Sequence, residues 1–207
     1  TSSDLPAITA ALTAYEELSD AAKAKLVDGE KSLLDALKAK AEEIKAAEEA
    51  DAAATAEANT FKTTHATILG KTTETVTSSD LPAITAALTA YEELSDAAKA
   101  KLVDGEKSLL DALKAKAEEI KAAEEADAAA TAEANTFKTT HATILGKTTE
   151  TVTSSDLPAI TAALTAYEEL SDAAKAKLVD GEKSLLDALK AKAEEIKAAE
   201  EADAAAT

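Results

Sequence analysis

The sequence predicts an all-α protein in which tandem three-helix bundles are joined by long continuous helices to form an elongated rod. Three observations predict this fold. The segment TSSDLPAITAALTAYEELSD recurs without substitution at Thr1, Thr77 and Thr153, so internal repeats organise the chain. Large apolar residues recur at steps of three and four within each copy, which is the spacing of an amphipathic helix. Alanine, the strongest helix former, supplies about a quarter of all residues.

The copies divide the chain into repeat 1 at 1–76, repeat 2 at 77–152 and a shorter repeat 3 at 153–207. An array of identical units is unlike a single globular enzyme of the same length. We therefore expect the same arrangement of helices to occur three times, with the third copy shorter than the others.

The first helix of repeat 1 is expected to begin after the polar cluster 1–4, whose short side chains can accept hydrogen bonds from free N–H groups. Pro6 falls in the first turn, where its missing N–H has no cost. The apolar spacing then predicts one buried stripe on this helix. The stripe comprises Leu5, Ile8, Leu12, Tyr15 and Leu18.

A short second helix is expected from Ser19, which can cap it, to Lys25. Asp28 and Gly29 then predict a turn before a third helix. No Gly or Pro occurs between Ala46 and Thr60, so this helix should continue until Gly70 ends it. Its length would be about 40 residues, or roughly 60 Å.

Each long helix carries an apolar stripe at both ends, and neither stripe can be buried by the helix alone. We expect each bundle to combine the end of one long helix, the next first helix and the start of the next long helix. The predicted bundles are 1–44, which is incomplete, 58–120 and 134–196. The predicted core of the second comprises Phe61, Ile68, Leu69, Val76, Leu81, Ile84, Leu88, Tyr91, Leu94, Leu102, Leu109, Leu110, Leu113 and Ile120. That of the third comprises Phe137, Ile144, Ile160, Leu164, Tyr167, Leu185, Leu189 and Ile196.

Consecutive bundles in this arrangement share a helix, which is why the sequence predicts a rod. A helix of roughly 60 Å that returns by one of roughly 20 Å leaves a rise of about 40 Å per repeat.

Composition excludes several classes of partner and chemistry. Forty acidic residues against 22 lysines give a formal net charge of −18, which repels nucleic acid phosphates and anionic membrane surfaces. We expect neither nucleic acid nor membrane as a partner, and no apolar run reaches the roughly 20 residues of a membrane-spanning helix. The absence of cysteine excludes disulfides, thiolate metal sites and cysteine nucleophiles.

The motifs that could carry chemistry have simpler structural interpretations. His65 and His141 lie between apolar residues at helical spacing, and a single imidazole per repeat does not make a metal site. Paired glutamates such as Glu42 and Glu43 point about 100° apart on a helix and do not share a site. The sequence around Gly29 lacks the spacing of a calcium loop. We predict a protein that is not an enzyme, with no catalytic, cofactor-binding or metal-binding residues and no cofactor.

Two surfaces leave self-association open. The alanine-rich stretch Ala46 to Ala58 could pair rods laterally, although a solvated connector kept helical by propensity is the simpler interpretation. The incomplete first bundle should leave Ile8, Leu12 and Leu37 uncovered, which allows end-to-end association. An unknown protein ligand also remains open.

The successive segments FKTTHATILGK, VTSSD, ALTAYEELSDAAKAKL and LLDALKAKAEEI together resemble the tandem helical repeats in stalks of bacterial cell-surface and adhesin-like proteins. Three-helix modules joined by continuous helices are also similar to spectrin repeats. The resemblance implies a non-catalytic extracellular stalk that projects a functional domain from a cell, with its signal and anchor outside this fragment. Complete identity between the copies indicates recent duplication or a designed consensus array. The alternatives are repeat-borne protein-binding modules and an engineered, self-associating helical array.

Overall fold

The computed structural model describes residues 1–26, 29–102, 105–178 and 181–206. Within these ranges the regular elements are all helices and no strand occurs, so the predicted all-α class is confirmed. The predicted turn at Asp28 lies outside the described residues, as does Val27 beside it.

Each repeat opens with a 3₁₀ turn that leads directly into a first helix of 13 residues. The helix begins at the leucine that precedes proline, as the capping and proline signals predict. The 3₁₀ turns are Ser2–Asp4, Ser78–Asp80 and Ser154–Asp156. The first helices are Leu5–Glu17, Leu81–Glu93 and Leu157–Glu169.

A short second helix follows, and a serine caps it as predicted. The Ser95 hydroxyl accepts a hydrogen bond from the Ala98 N–H at 3.1 Å, which satisfies one of the free donors at the helix start. In repeats 1 and 2 this helix ends earlier than predicted, whereas in repeat 3 it reaches Lys177. The second helices are Asp20–Lys23, Asp96–Lys99 and Asp172–Lys177.

The long helix of each repeat starts where the sequence predicts, directly after a glycine. Its three copies are Glu30–Thr64, Glu106–Thr140 and Glu182–Ala205. In repeats 1 and 2 a short end helix follows, Ala66–Leu69 and Ala142–Leu145.

The prediction of one unbroken helix to Gly70 was wrong at His65, where φ is −106° and ψ is 16°. The hydroxyls of Thr60 and Thr63 each donate to the carbonyl four residues earlier, at 2.9 Å. Such bonds compete with the helix and often bend it, although Thr55 makes the same bond to the Asp51 carbonyl in an unbroken part of this helix. Gly70 then caps the end helix with φ of −86°, and an added Cβ would lie 3.3 Å from the Ala66 carbonyl oxygen. Close packing rather than a left-handed backbone therefore favours glycine.

The chain divides into two compact units, Thr1–Glu118 and Glu119–Thr207. In the first unit one helix, Glu30–Thr64, packs against helices of both repeat 1 and repeat 2. Near its start Lys31 pairs with Glu16 of the first helix, and near its end the Phe61 ring contacts Tyr91 of repeat 2. At 1.5 Å per residue its 35 residues span roughly 50 Å.

The core of the first unit contains the large residues predicted from the apolar stripe. Ile84, Leu110 and Leu113 are completely buried, and Phe61 is only 4% exposed. Ile68, Val76 and Leu102 are also buried. The remaining predicted core residues of this unit are half-buried, namely Leu69, Leu81, Leu88, Tyr91, Leu94 and Leu109. Ile120, which falls in the second unit, is also half-buried.

The core of the second unit repeats this pattern. Phe137, Ile144, Ile160 and Leu189 are buried as predicted. Four predicted residues are partly buried against them, namely Leu164, Tyr167, Leu185 and Ile196.

Alanine contributes more to both cores than the sequence indicated. Ala54 and Ala58 on the connector are 4% and 3% exposed, and the second helix Asp96–Lys99 packs on the same long helix. The interpretation of the whole connector as a solvated segment was therefore wrong for one of its faces. Three further alanines are completely buried in the first unit, namely Ala87, Ala98 and Ala117.

Candidate functional site

The most distinctive surface in each unit is the contact between the end of a long helix and the repeat that follows it. At its centre the Phe61 ring meets Tyr91 edge-on with ring centroids 5.9 Å apart. Phe137 and Tyr167 repeat this geometry at 6.0 Å in the second unit. Edge-to-face pairs of this kind stabilise a contact beyond the area that they bury.

A carboxylate ties the long helix to the start of the second helix. Glu57 Oε1 accepts from the Ser95 N–H at 2.8 Å, and Oε2 accepts from the Ser95 hydroxyl at 2.7 Å. Glu133 binds Ser171 in the same way. The serine hydroxyl thus donates to the glutamate while it caps its own helix. The hydrogen bonds from Ser95, then the positive charge of Lys99, hold the pKa of Glu57 below its ordinary value.

Two ion pairs flank the aromatic contact. Lys101 binds Asp51 on the connector, and Lys62 Nζ lies 3.2 Å from Glu106 Oε1 at the start of the next long helix. The Glu106 side chain is 11% exposed, and its Oε2 is buried without a hydrogen-bond partner among the described residues. The helix dipole stabilises a carboxylate in the first turn of a helix, so the dipole and Lys62 both favour glutamate at this position.

An open groove lies beside each Lys–Glu pair. It measures about 650 Å³ in the first unit and about 590 Å³ in the second. Its lining is mostly apolar, with the ion pair at one wall, so it suits an apolar side chain better than a charged substrate. The other lining residues in the first unit are Ala66, Leu69, Gly70, Gly105 and Leu109.

A third ion pair orders the loop that returns the chain. Lys71 Nζ lies 2.6 Å from Asp80 Oδ2, and this oxygen also accepts from the N–H and the hydroxyl of Thr77. The bond from Lys71 first, and then the Thr77 N–H, lower the pKa of Asp80. The threonine-rich loop is thus fixed against the start of the first helix.

Repeat 1 contains the same apolar residues, but they are more exposed than their equivalents in repeat 2. Leu33 and Leu37 are 59% and 45% exposed, although Leu113, the equivalent of Leu37, is completely buried. We call this surface the open face. Its exposed leucines are Leu18, Leu26, Leu33 and Leu37. The predicted incomplete first bundle is therefore apolar and uncovered on this side, although Ile8 and Leu12 are half-buried.

The histidines take part in packing. The His65 ring lies 5.1 Å from Phe61, and His141 lies 5.0 Å from Phe137. In the described residues the ring contact of each imidazole is with the phenylalanine four positions earlier. No cluster of three or more metal-binding side chains occurs within the described ranges. That the protein has no catalytic, cofactor or metal residues stays a prediction.

The chain matches no family model, no curated protein and no solved structure. Its own geometry is therefore the basis for functional inference. Among the residues that the structure describes, no helix combines the length and apolarity needed to cross a membrane.

The sequence interpretation missed the polar part of this interface. Glu57 and Ser95 lie 38 positions apart, and nothing in the local pattern joins them. One signal was present: Asp51, Glu57 and Lys62 occur on the helical stretch that was expected to leave one bundle and enter the next. Charged residues on such a stretch could have been tested as partners of the following repeat.

Proposed function

We propose that this protein is a non-catalytic structural spacer whose repeats set the length of a stalk. The observation that supports the proposal is the shared helix Glu30–Thr64, which packs against repeat 1 near its start and against repeat 2 near its end. A module joined to its neighbour by a continuous helix cannot rotate freely about a flexible linker, so each added repeat should add a fixed length.

The proposed setting is the outside of a bacterial cell, where the stalk would hold a functional domain away from the surface. This setting rests on the resemblance to adhesin-like stalk repeats. The composition is compatible with it, because a chain without cysteine or methionine has no sulfur to oxidise and a net charge of −18 favours solubility.

The test is small-angle X-ray scattering on chains of two, three and four repeats. The maximum dimension should grow by about 30 Å with each repeat, because the outgoing helix of 35 residues spans roughly 50 Å and the returning helix of 13 residues roughly 20 Å. An increment well under about 20 Å would contradict a shared-helix spacer.

A glycine variant of the connector supplies the control for stiffness. Ala46, Ala52 and Ala53 are exposed, so replacing them and the matching alanines of repeat 2 with glycine leaves the buried contacts in place. Each glycine lowers helix stability by roughly 1 kcal/mol relative to alanine. A chain of the same length should then give a broader distribution of interatomic distances. An unchanged distribution would show that the stiffness of the connector does not set the spacing.

A second candidate function is protein binding by each repeat, and the groove beside Lys62 and Glu106 favours it because an equivalent groove occurs in each unit. A ligand held there should bind chains of two, three and four repeats with a stoichiometry that grows by one per repeat. Leu109→Asp in the groove wall should abolish binding at that repeat, whereas Ala112→Asp on an exposed part of the same helix should not.

A further inference from the structure

We propose that the open face of repeat 1 is an acceptor for a partner helix that carries the sequence pattern of residues 51–76. In repeats 2 and 3 the face with the same sequence is already covered, and the covering segments are residues 51–76 and 127–152. The structure therefore contains two examples of the complex that the open face lacks. We call residues 51–76 the donor segment.

The apolar part of the donor segment matches the exposed leucines. Ala54, Ala58, Phe61, Ile68 and Val76 are all buried in the first unit. Where the donor segment is present, the counterparts of Leu26 and Leu37 are buried, and those of Leu18 and Leu33 are half-buried. Leu102 is 7% exposed against 39% for Leu26, and Leu113 is completely buried against 45% exposure for Leu37. Because local sequence is identical, the donor segment is what buries these leucines.

The polar groups around the open face also match the donor segment. In repeat 2, Ser95, Lys101 and Glu106 bind Glu57, Asp51 and Lys62 of the donor segment.

Their counterparts in repeat 1 are Ser19, Lys25 and Glu30. Among the described residues, Lys25 and Glu30 have no ion pair, whereas their counterparts Lys101 and Glu106 each have one. The Ser19 hydroxyl accepts from the Ala22 N–H at 3.3 Å, and no carboxylate accepts from it within the described residues. The open face thus presents a hydroxyl, a lysine and a glutamate at the positions whose equivalents in repeat 2 bind the donor segment.

A second copy of this chain cannot close the face by exchanging segments. The sequence has three acceptor faces, within residues 5–41, 81–117 and 157–193, but only two complete donor segments, at 51–76 and 127–152. When two copies exchange donor segments, each acceptor face that gains a donor segment leaves another acceptor face without one. The occupant that we propose is therefore a helix whose copy of the donor pattern is not engaged in a bundle of its own.

The test uses a labelled peptide with the sequence of residues 47–76, titrated into the full 207-residue chain. We expect saturable binding with one peptide per chain, followed by fluorescence anisotropy, and an increase in the melting temperature of the chain. Sedimentation of the chain alone should show no concentration-dependent association.

Matched variants locate the site. Leu37→Asp on the open face should weaken binding at least about tenfold, which is about 1.4 kcal/mol. Ala39→Asp lies on the same helix at a position whose counterpart, Ala115, stays exposed in the covered repeat, and it should leave binding unchanged. Circular dichroism should confirm that both variants remain helical. A peptide with Phe61→Ala should also bind at least about tenfold more weakly.

A chain extended before Thr1 by one further copy of residues 47–76 supplies the same helix in cis, and this chain should no longer bind the peptide. The proposal is overturned if the peptide shows no saturable binding up to about 1 mM. It is also overturned if Leu37→Asp binds as well as the unmodified chain. Self-association of the chain alone that Leu37→Asp abolishes would identify a second copy as the occupant instead.

Discussion

Glu57 and Ser95 are joined by two hydrogen bonds across 38 positions of sequence, one from the Ser95 N–H at 2.8 Å and one from its hydroxyl at 2.7 Å. Both donors favour the ionised carboxylate, so the pKa of Glu57 lies below its ordinary value, and the pKa of Glu133 beside Ser171 is lowered in the same way. This pairing predicts that the contact between long and second helices depends on pH.

Replacing both glutamates by glutamine should therefore reduce sensitivity to acid. A carboxyl group with a lowered folded pKa stabilises the protein above its unfolded pKa, and this contribution is lost as pH falls through the folded value. In the unmodified chain the loss falls below about pH 4.5. The double variant Glu57→Gln/Glu133→Gln should unfold at lower urea concentration near neutral pH and should lose less stability between about pH 5 and pH 2.

The control is Glu93→Gln with Glu169→Gln, because these exposed residues make no side-chain hydrogen bond or ion pair within the described parts of the chain. Urea midpoints near neutral pH should then match those of the unmodified protein. If the two double variants respond alike to acid, the Ser95 contact does not carry the pH dependence.

Truncating a leucine should lower the free energy of unfolding by different amounts at two positions that have identical neighbours in sequence. Leu113→Ala removes a completely buried side chain and should lower the free energy of unfolding by about 2 to 5 kcal/mol. Leu37→Ala removes one that is 45% exposed and should cost much less. Urea denaturation of the two variants checks this, and equal costs would mean that the open face is covered in solution.

Enlarging a buried connector alanine should be destabilising. Ala54 is 4% exposed beneath the second helix, so Ala54→Leu should cost about 1 to 3 kcal/mol by overpacking. Ala53→Leu changes the exposed neighbour and should have little effect. Thermal unfolding of both variants is the measurement. A connector solvated on all sides would instead tolerate both changes equally.

The aromatic contact should be the strongest single point of the interface. Phe61→Ala leaves a cavity where a 4% exposed ring met Tyr91, and it should cost about 3 to 5 kcal/mol. His65→Ala removes a half-buried ring that touches Phe61 from outside the core and should cost less. Calorimetry of both variants gives the comparison. A Phe61→Ala chain that melted at the unmodified temperature would rule out this core role.

Local sequence signals predicted the helices. The packing between helices determines further features that local sequence does not show. The start of the first helix at Leu5 was predictable because Pro6 and the preceding polar residues act within one turn. The burial of Ala54 was not, because alanine has the same high helix propensity on a solvated face and under another helix. The Glu57–Ser95 bond was missed for a similar reason, since it depends on the register between helices rather than on neighbours in sequence.

Identical copies also mean that protease digestion releases peptides of identical mass from places that are packed differently. The segment LLDALKAKAEEI occurs at 33–44, 109–120 and 185–196, and only the first copy lies on the open face. After a pulse of deuterium, a single peptide mass should therefore carry two isotope envelopes, a heavy one and a light one of about twice its intensity. Mass spectrometry of one peptide would count how many of its copies are covered, and a bound donor helix would merge the two envelopes.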